Sequence, residues 1–352
     1  MQNAKIQDMT PNIIDPTTYK NWDESLLSTP GASFFHSAAW AMVLCESYGY
    51  KPIYFAAIDG NKITALFPMI DVNSFLTGRR GVSLPFTDYC EPITRDTESF
   101  QEMFTQVIRY GREQGWKYIE LRGAEAFLKE APHSSFFYGH TLELPKNPDA
   151  LFSSFRDSTK RNIKKAGKEN VEVNICQDME AMKAFYDLNC LTRQQHGLPP
   201  QPLYFFKKVH EHILSKDHGF IVIATYDGKP IAGNVFFHFG KKAIYKYGAS
   251  GKDHQHLRAN NLIMWEAIKW YCRNGYTHFC FGRTEPENDG LRQFKNGWGT
   301  REHEIRYYKY DLLRNEFIGE SSRTAHQYKK VFTRMPIPAL KVAGQLLYRH
   351  MG

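Results

Sequence analysis

Short apolar runs and longer amphipathic stretches take turns along this chain, most of them closed by glycine, proline or Asp-Gly. Residues 17–30 read as a helix and its exit. Ser37 is placed to N-cap a helix over 38–47, because Trp40, Val43 and Leu44 recur at i, i+3 and i+4. Gly49-Tyr50-Lys51-Pro52 breaks that pattern. Two apolar runs follow, 53–58 and 63–72, joined by Asp59-Gly60-Asn61-Lys62. They predict a β-hairpin, with Asp-Gly supplying the positive φ of its turn. Gly78-Arg79-Arg80-Gly81 reads as a basic turn. Residues 83–92 hold two prolines and several hydrogen-bonding side chains, and read either as an irregular edge segment or as a cleft wall. A helix over 97–115, a strand at 118–122 and a closing strand near 137–144 finish the first half.

Pro145-Lys146-Asn147-Pro148-Asp149 is the natural boundary, rich in proline and poor in apolar content. It divides the chain into segments 1–145 and 146–330, with a tail at 331–352. The second segment opens on a basic amphipathic helix anchored by Leu151, Phe155, Ile163 and Ala166. A strand at 171–175 and helices at 179–195 and about 203–214 come next. Runs 220–226 and 231–239 then flank Asp227-Gly228 as a second hairpin. A third strand at 242–250, a helix at 261–274 and a strand at 278–282 follow. Helix, Asp-Gly hairpin, strand, helix, strand therefore occurs twice, a repeat of architecture rather than of sequence.

A chain of 352 residues with 42% hydrophobic content has material for two packed cores and no signature of disorder. No apolar run approaches a bilayer span, and the N-terminal MQNAKIQDMTPNIID lacks the apolar core of a signal peptide. Six scattered cysteines without a CxxC suit reduced thiols in a cytoplasmic setting. The histidine pairs at 254/256 and 210/212 diverge on a helix, and no HExxH is present, so no metal site is read. A net charge of +8 favours anionic partners.

Candidate chemistry concentrates after the last strand. Residues 279–282 end on Gly282 and lead into the polar, turn-forming stretch 283–290. Arg283 and Asn288 sit in that loop as candidate substrate contacts. Phe294 and Lys295 then return toward the body before Gly297-Trp298-Gly299, which would pin the lysine. Lys160, Arg161, Lys164, Lys165 and Lys168 form a stripe at helical spacing, either a solvated face or a grip on phosphate or RNA, with Arg161, Lys164 and Lys165 as candidate substrate contacts.

The element order is that of the acetyltransferase fold called GNAT. There, a glycine-bearing loop before a helix donates backbone N–H groups to the coenzyme A pyrophosphate. The corresponding Gln255-His256-Leu257-Arg258-Ala259-Asn260-Asn261 lacks both glycines, which speaks against that cofactor. Four segments resemble the FemABX family of peptidoglycan-bridge aminoacyltransferases. They are Phe35-His36-Ser37 with Trp40; the helix from Thr159 to Ala166; Tyr245-Lys246-Tyr247-Gly248-Ala249-Ser250 with Trp265-Glu266; and Gly290 to Gly299. The resemblance runs over roughly residues 15 to 312. It implies an α+β fold of two tandem acyl-CoA N-acyltransferase-like (GNAT-like) domains, each a mixed, mostly antiparallel sheet flanked by helices. It implies aminoacyl transfer from an aminoacyl-tRNA donor to an amine of a cell-wall or exopolysaccharide precursor, with no bound cofactor. The family's Phe-Lys pair falls on Phe294 and Lys295, the lysine meeting negative charge at the reacting carbonyl or the 3′ end of the tRNA. Tyr245 and Tyr247 fall on strand tyrosines that would orient the acceptor or relay its proton, and their spacing predicts that both face one side.

The sequence also departs from the family. No heptad segment supplies the long helical arm that some members carry. A lysine that would hold precursor phosphates after the first-helix tryptophan is replaced near Leu44. The tail 334–350 is a short, basic amphipathic helix after two prolines, expected to pack on the body or to touch an anionic membrane. Two other readings stand beside aminoacyl transfer: an acyl-CoA-dependent N-acetyltransferase acting on an amino sugar or polysaccharide, and a non-catalytic RNA- or membrane-binding protein.

Overall fold

Both Asp-Gly turns form, and they start the two halves of the sheet. Gly60 takes φ 59° in the first, and Asp227 and Gly228 take 48° and 72° in the second. That left-handed backbone matches the twist of the flanking strands. The computed structural model describes residues 11–319 and 326–352. Most of the N-terminal stretch read for a signal peptide lies outside them.

In chain order the first half runs β1 (Asn12–Ile14), α1 (Trp22–Leu27), α2 (Ala38–Tyr48), β2 (Lys51–Asp59), β3 (Lys62–Ser74), β4 (Gly78–Val82), α3 (Thr97–Glu113), β5 (Tyr118–Arg122) and β6 (Ser135–Glu143). The second runs α4 (Pro148–Ser154), α5 (Asp157–Lys168), β7 (Glu172–Cys176), α6 (Met179–Gln195), α7 (Leu203–His212), β8 (Gly219–Tyr226), β9 (Lys229–Phe239), β10 (Lys242–Ser250), α8 (Ala259–Arg273), β11 (His278–Thr284), α9 (Asp289–Asn296), β12 (Arg301–Asp311) and β13 (Glu316–Ile318). Helices α10 (His326–Arg334) and α11 (Ile337–Leu347) close the chain. The expected Ser37 cap is present, its side chain accepting from the Trp40 backbone N–H at 3.3 Å.

The expected basic turn at 78–81 is instead strand β4, paired with β3 and β5. Both of its arginines are engaged within the protein. Arg79 is paired with Asp71, and Arg80 bonds backbone carbonyls of His350 and Gly352. Gly81 is required there, because any Cβ would collide with the Trp116 ring.

The strands form one sheet in the order β1-β2-β3-β4-β5-β12-β6-β11-β10-β9-β8-β7, with β13 beside β12. Strand β12 crosses the Pro145–Asp149 boundary and inserts between β5 and β6, with Tyr307 opposite Arg122 and Arg301 opposite Thr141. On the other side, β6 pairs with β11. The halves also share a core. Trp40 packs edge-on against Phe205 and is tilted against Phe237. A second core around Phe236, Trp265, Tyr271 and Trp298 lies under α5 and α8. A third, with Phe67, Phe100 and Trp116, lies under α3.

The C-terminal segment packs on the body. Tyr50 Oη donates to the Arg349 carbonyl at 3.0 Å, and Arg193 donates to Tyr348 Oη at 2.7 Å. Among the described residues, no helix is long and apolar enough to cross a membrane.

Candidate active site

The site begins where two parallel strands stop pairing. β10 and β11 are in register only from Lys242/His278 to Ile244/Cys280. Each then bulges: β10 between Tyr245 and Tyr247 against β9, and β11 between Cys280 and Arg283 against β6. Gly282 takes φ 68° within the second bulge. A bulge bends its strand and breaks the ladder, so the two strands splay. The gap is a cleft of about 750 Å³, bordered by the start of α8, the end of α6, α9 and the 83–92 loop.

Lys295 is a buried cation of this cleft. It projects from the last turn of α9, a helix whose first turn is capped by Asn288 accepting from the Leu291 N–H at 3.1 Å. Phe294 packs edge-on against Trp298, itself fully buried. Lys295 is only 2% exposed, and its Nζ donates to the carbonyls of Gly282 and Arg283 at 3.0 and 2.9 Å. Those acceptors carry no full charge. Burial therefore pushes its pKa down to about 8, against the pull of Asp88.

Asp88 lies opposite, in the loop whose cleft-wall reading the structure bears out. Its Oδ2 takes a 2.6 Å bond from Lys246 Nζ, and its Oδ1 accepts the Arg283 N–H at 3.2 Å. Burial works to raise its pKa, but the Lys246 and Arg283 charges outweigh it and keep the carboxylate ionised. Lys246 also donates to the Phe86 carbonyl at 2.7 Å. Asp88 and Lys246 were not among the sequence candidates. Lys246 stands between the two motif tyrosines, and that was the only signal for it.

The two tyrosines do not share a side. Lys246 is the extra residue of the bulge, so the period-two alternation slips by one. Tyr245 lines the cleft, its ring tilted against Phe236 at 5.6 Å. Tyr247 turns into the opposite core, against Phe206 at 5.6 Å and Phe237 at 6.3 Å, and lies off the cleft.

Arg283 borders the cleft, but its guanidinium is engaged internally. It donates to Tyr307 Oη at 2.7 Å and lies 4.2 Å from the Phe137 ring centre. Asn288 borders the cleft while serving as the α9 cap, so the expected loop 283–290 gives way to helix at Asp289. Arg161, Lys164 and Lys165 lie on the exposed face of α5, outside the cleft lining. The Gln255–Asn261 segment does reach the cleft wall, with Arg258 at φ 61° ahead of α8. Among the described residues, two amide side chains in this region have atoms without a hydrogen-bond partner. They are Asn260, through Oδ1, and the fully buried Asn234, which pairs with the cleft-lining Gly248.

A clamp behind α9 fixes the lysine's helix. Arg292 grips Glu302 through two bonds of 2.6 and 2.7 Å and lies 3.7 Å from the centre of the Tyr138 ring. Asn296 and the buried His140 each meet Glu302 Oε2 at 3.1 Å. Elsewhere, Glu46, Glu211 and His212 converge, but Lys208 Nζ already lies 2.5 and 2.8 Å from the two carboxylates.

Residues 153–296 match an acetyltransferase (GNAT) domain. A stretch of 126 residues is 29% identical to the Lipid II:glycine glycyltransferase of Staphylococcus epidermidis, in two strains, and covers 34% of this chain. It spans 29% of the length of those curated relatives. Among solved structures, the crystal structure of FemX aligns with a TM-score of 0.65 at 14% identity, over 81% of this chain and 94% of that one. A tandem GNAT protein from the clavulanic acid biosynthesis pathway aligns with a TM-score of 0.51 at 9% identity, over 78% and 85%. The fold is therefore GNAT-like and in tandem, with a mixed, mostly antiparallel sheet flanked by helices.

Proposed function

We propose that this chain, FemABX-like in its motifs, its relatives and its fold, is an N-acyltransferase that moves an aminoacyl group from an aminoacyl-tRNA to an amine of a cell-envelope precursor. The observation that carries this reading is Lys295, a buried ammonium held by two backbone carbonyls at the mouth of splayed strands. The acceptor amine attacks the ester carbonyl of the donor. A C–N bond forms, the C–O bond to the tRNA 3′ end breaks, and the amine proton passes to the leaving oxygen. Negative charge gathers on the carbonyl oxygen between those events. A fixed cation in a water-poor cleft stabilises it by a few kcal/mol, roughly 10²–10³ in rate. Tyr245, on the same wall, orients the acceptor, and the Asp88–Lys246 pair fixes the wall that Arg283 completes. Arg161, Lys164 and Lys165 would meet the donor's phosphates outside the cleft, as salt-sensitive contacts. The name of the Lipid II:glycine glycyltransferase relatives points to a lipid-linked cell-wall precursor as acceptor.

Lys295→Ala is expected to cut transfer by roughly 10²–10³ while the protein stays folded. Single-turnover transfer with charged tRNA measures this, and normal turnover by the variant would sink the assignment.

The match of residues 153–296 to an acetyltransferase domain favours an acyl-CoA donor as the second reading, against the missing glycines of the Gln255–Asn261 segment at the cleft. Calorimetric titration with acetyl-CoA and with charged tRNA separates the two. Saturable acetyl-CoA binding with none to charged tRNA would replace the first reading with the second.

A further inference from the structure

The C-terminal helix carries more apolar surface than the body can cover. Leu340, Gly344 and Tyr348 form its buried inner stripe, and Gly344 lies so close to the Pro200 carbonyl that no Cβ would fit. The outer stripe is also apolar: Val342 is 56% exposed and Leu346 65%. They stand at i and i+4 and share one face. Past the end of the helix, Met351 is 50% exposed. The β3–β4 turn adds Phe75, 85% exposed, and Leu76, 57% exposed. That turn packs against the end of the C-terminal segment. Phe75 meets the His350 ring at 4.6 Å, Ser74 Oγ and His350 Nδ1 lie 2.9 Å apart, and Thr77 Oγ1 donates to the His350 carbonyl at 3.2 Å. Two elements far apart in sequence therefore raise bulky apolar side chains around one docked turn.

The charge carried by this segment is cationic, with Lys341 paired to the exposed Asp187 of α6 at 3.2 Å. Residues 334–352 contain Arg334, Lys341 and Arg349 and no aspartate or glutamate. An apolar stripe with cationic neighbours is the chemistry of a helix lying in an anionic lipid surface. The patch also backs onto the cleft. Thr192 and His196 at the end of α6 line the cleft, while between them Arg193 bonds Tyr348 Oη and Gln194 Nε2 donates to the Met335 carbonyl at 2.7 Å.

We infer that Val342, Leu346, Met351, Phe75 and Leu76 form a surface that seats the protein on an anionic phospholipid bilayer. The seat would bring a lipid-anchored acceptor to the α6 side of the cleft. That purpose, though not the binding itself, rests on the acyl-transfer reading.

Co-sedimentation of the full chain with vesicles tests it, using phosphatidylcholine alone and phosphatidylcholine mixed with phosphatidylglycerol. The expected result is binding to the mixed vesicles only, weakening as salt rises. Val342→Ser/Leu346→Ser and, independently, Phe75→Ser/Leu76→Ser should each lower binding roughly tenfold or more, since each removes two inserted side chains. All four residues are exposed, so the melting midpoints should hold, and two separate pairs guard against one misfolding. A wild-type chain that stays in the supernatant with anionic vesicles overturns the inference, as does undiminished binding by both variants. A dimer in sedimentation equilibrium that Val342→Ser/Leu346→Ser dissolves, without vesicle binding, would give the patch to a second copy instead. The assay contains no donor or acceptor, so its failure leaves the transfer reaction standing, and an active Lys295→Ala leaves the lipid seat standing.

Discussion

Lys295 shows how one residue's chemistry follows from its surroundings. An ordinary lysine stays charged to well above pH 10. Here burial among neutral carbonyls brings the proton off at about 8. Since the proposed reaction uses the cation, activity should hold below that value and fall as pH rises through it. The kcat/KM profile of the wild type is therefore expected to show a descending limb near pH 8. Residual activity in Lys295→Arg should lack that limb, because guanidinium keeps its proton. A limb that persists in the variant would belong to another group. The sign for folding is opposite: the unfolded lysine holds its proton to about 10.5, so the cost of the buried charge is present below about 8 and relieved between those values. The tyrosines carry a second lesson at this scale. Their two-residue spacing was legible, but one bulged residue reversed the side of one relative to the other. Bulges arise from pairing with a neighbour, which a single strand's sequence does not display.

Helix α9 is short, and its own sequence does little to hold it in place. Asn288 caps its start, Phe294 leans on Trp298, and the Arg292–Glu302 clamp ties it to β12. Glu302 thus positions Lys295 without touching a reacting atom. Glu302→Gln is expected to lower kcat roughly tenfold to a hundredfold, because small misplacements of a catalytic group are costly. The KM for donor and the melting midpoint should change little, and the chain should keep its circular dichroism. A fall in KM affinity with kcat intact would instead place Glu302 among the substrate contacts. The motif Gly290 to Gly299 was visible in the sequence as a held segment, yet the clamp was not. Glu302 and His140 lie on separate strands, and only β6–β12 pairing brings them together.

At the scale of the whole molecule, the two architectural repeats are joined through pairing rather than placed side by side. β12 supplies the strand between β5 and β6, and Trp40 of the first half packs on Phe205 and Phe237 of the second. Removing either half would strip paired backbone and shared core from the other. Thermal unfolding followed by calorimetry should therefore give one transition, and residues 1–145 expressed alone should not fold to a cooperative unit. Two separated transitions would show that the shared sheet contributes little coupling. Most of the helices, both hairpins and the repeated architecture were determined by local pattern, because hydrophobic period and turn chemistry act within a few residues of the chain, while the Phe294–Lys295 motif was legible through its family resemblance. The splayed cleft, the facing of Asp88 and Lys246, the separation of Tyr245 from Tyr247, strand β4 with its internally bonded arginines, and the apolar side chains exposed at 75 and 346 came only with tertiary structure. Each depends on pairing or packing between segments distant in sequence, and that pairing sets where a side chain ends and what pKa it takes there.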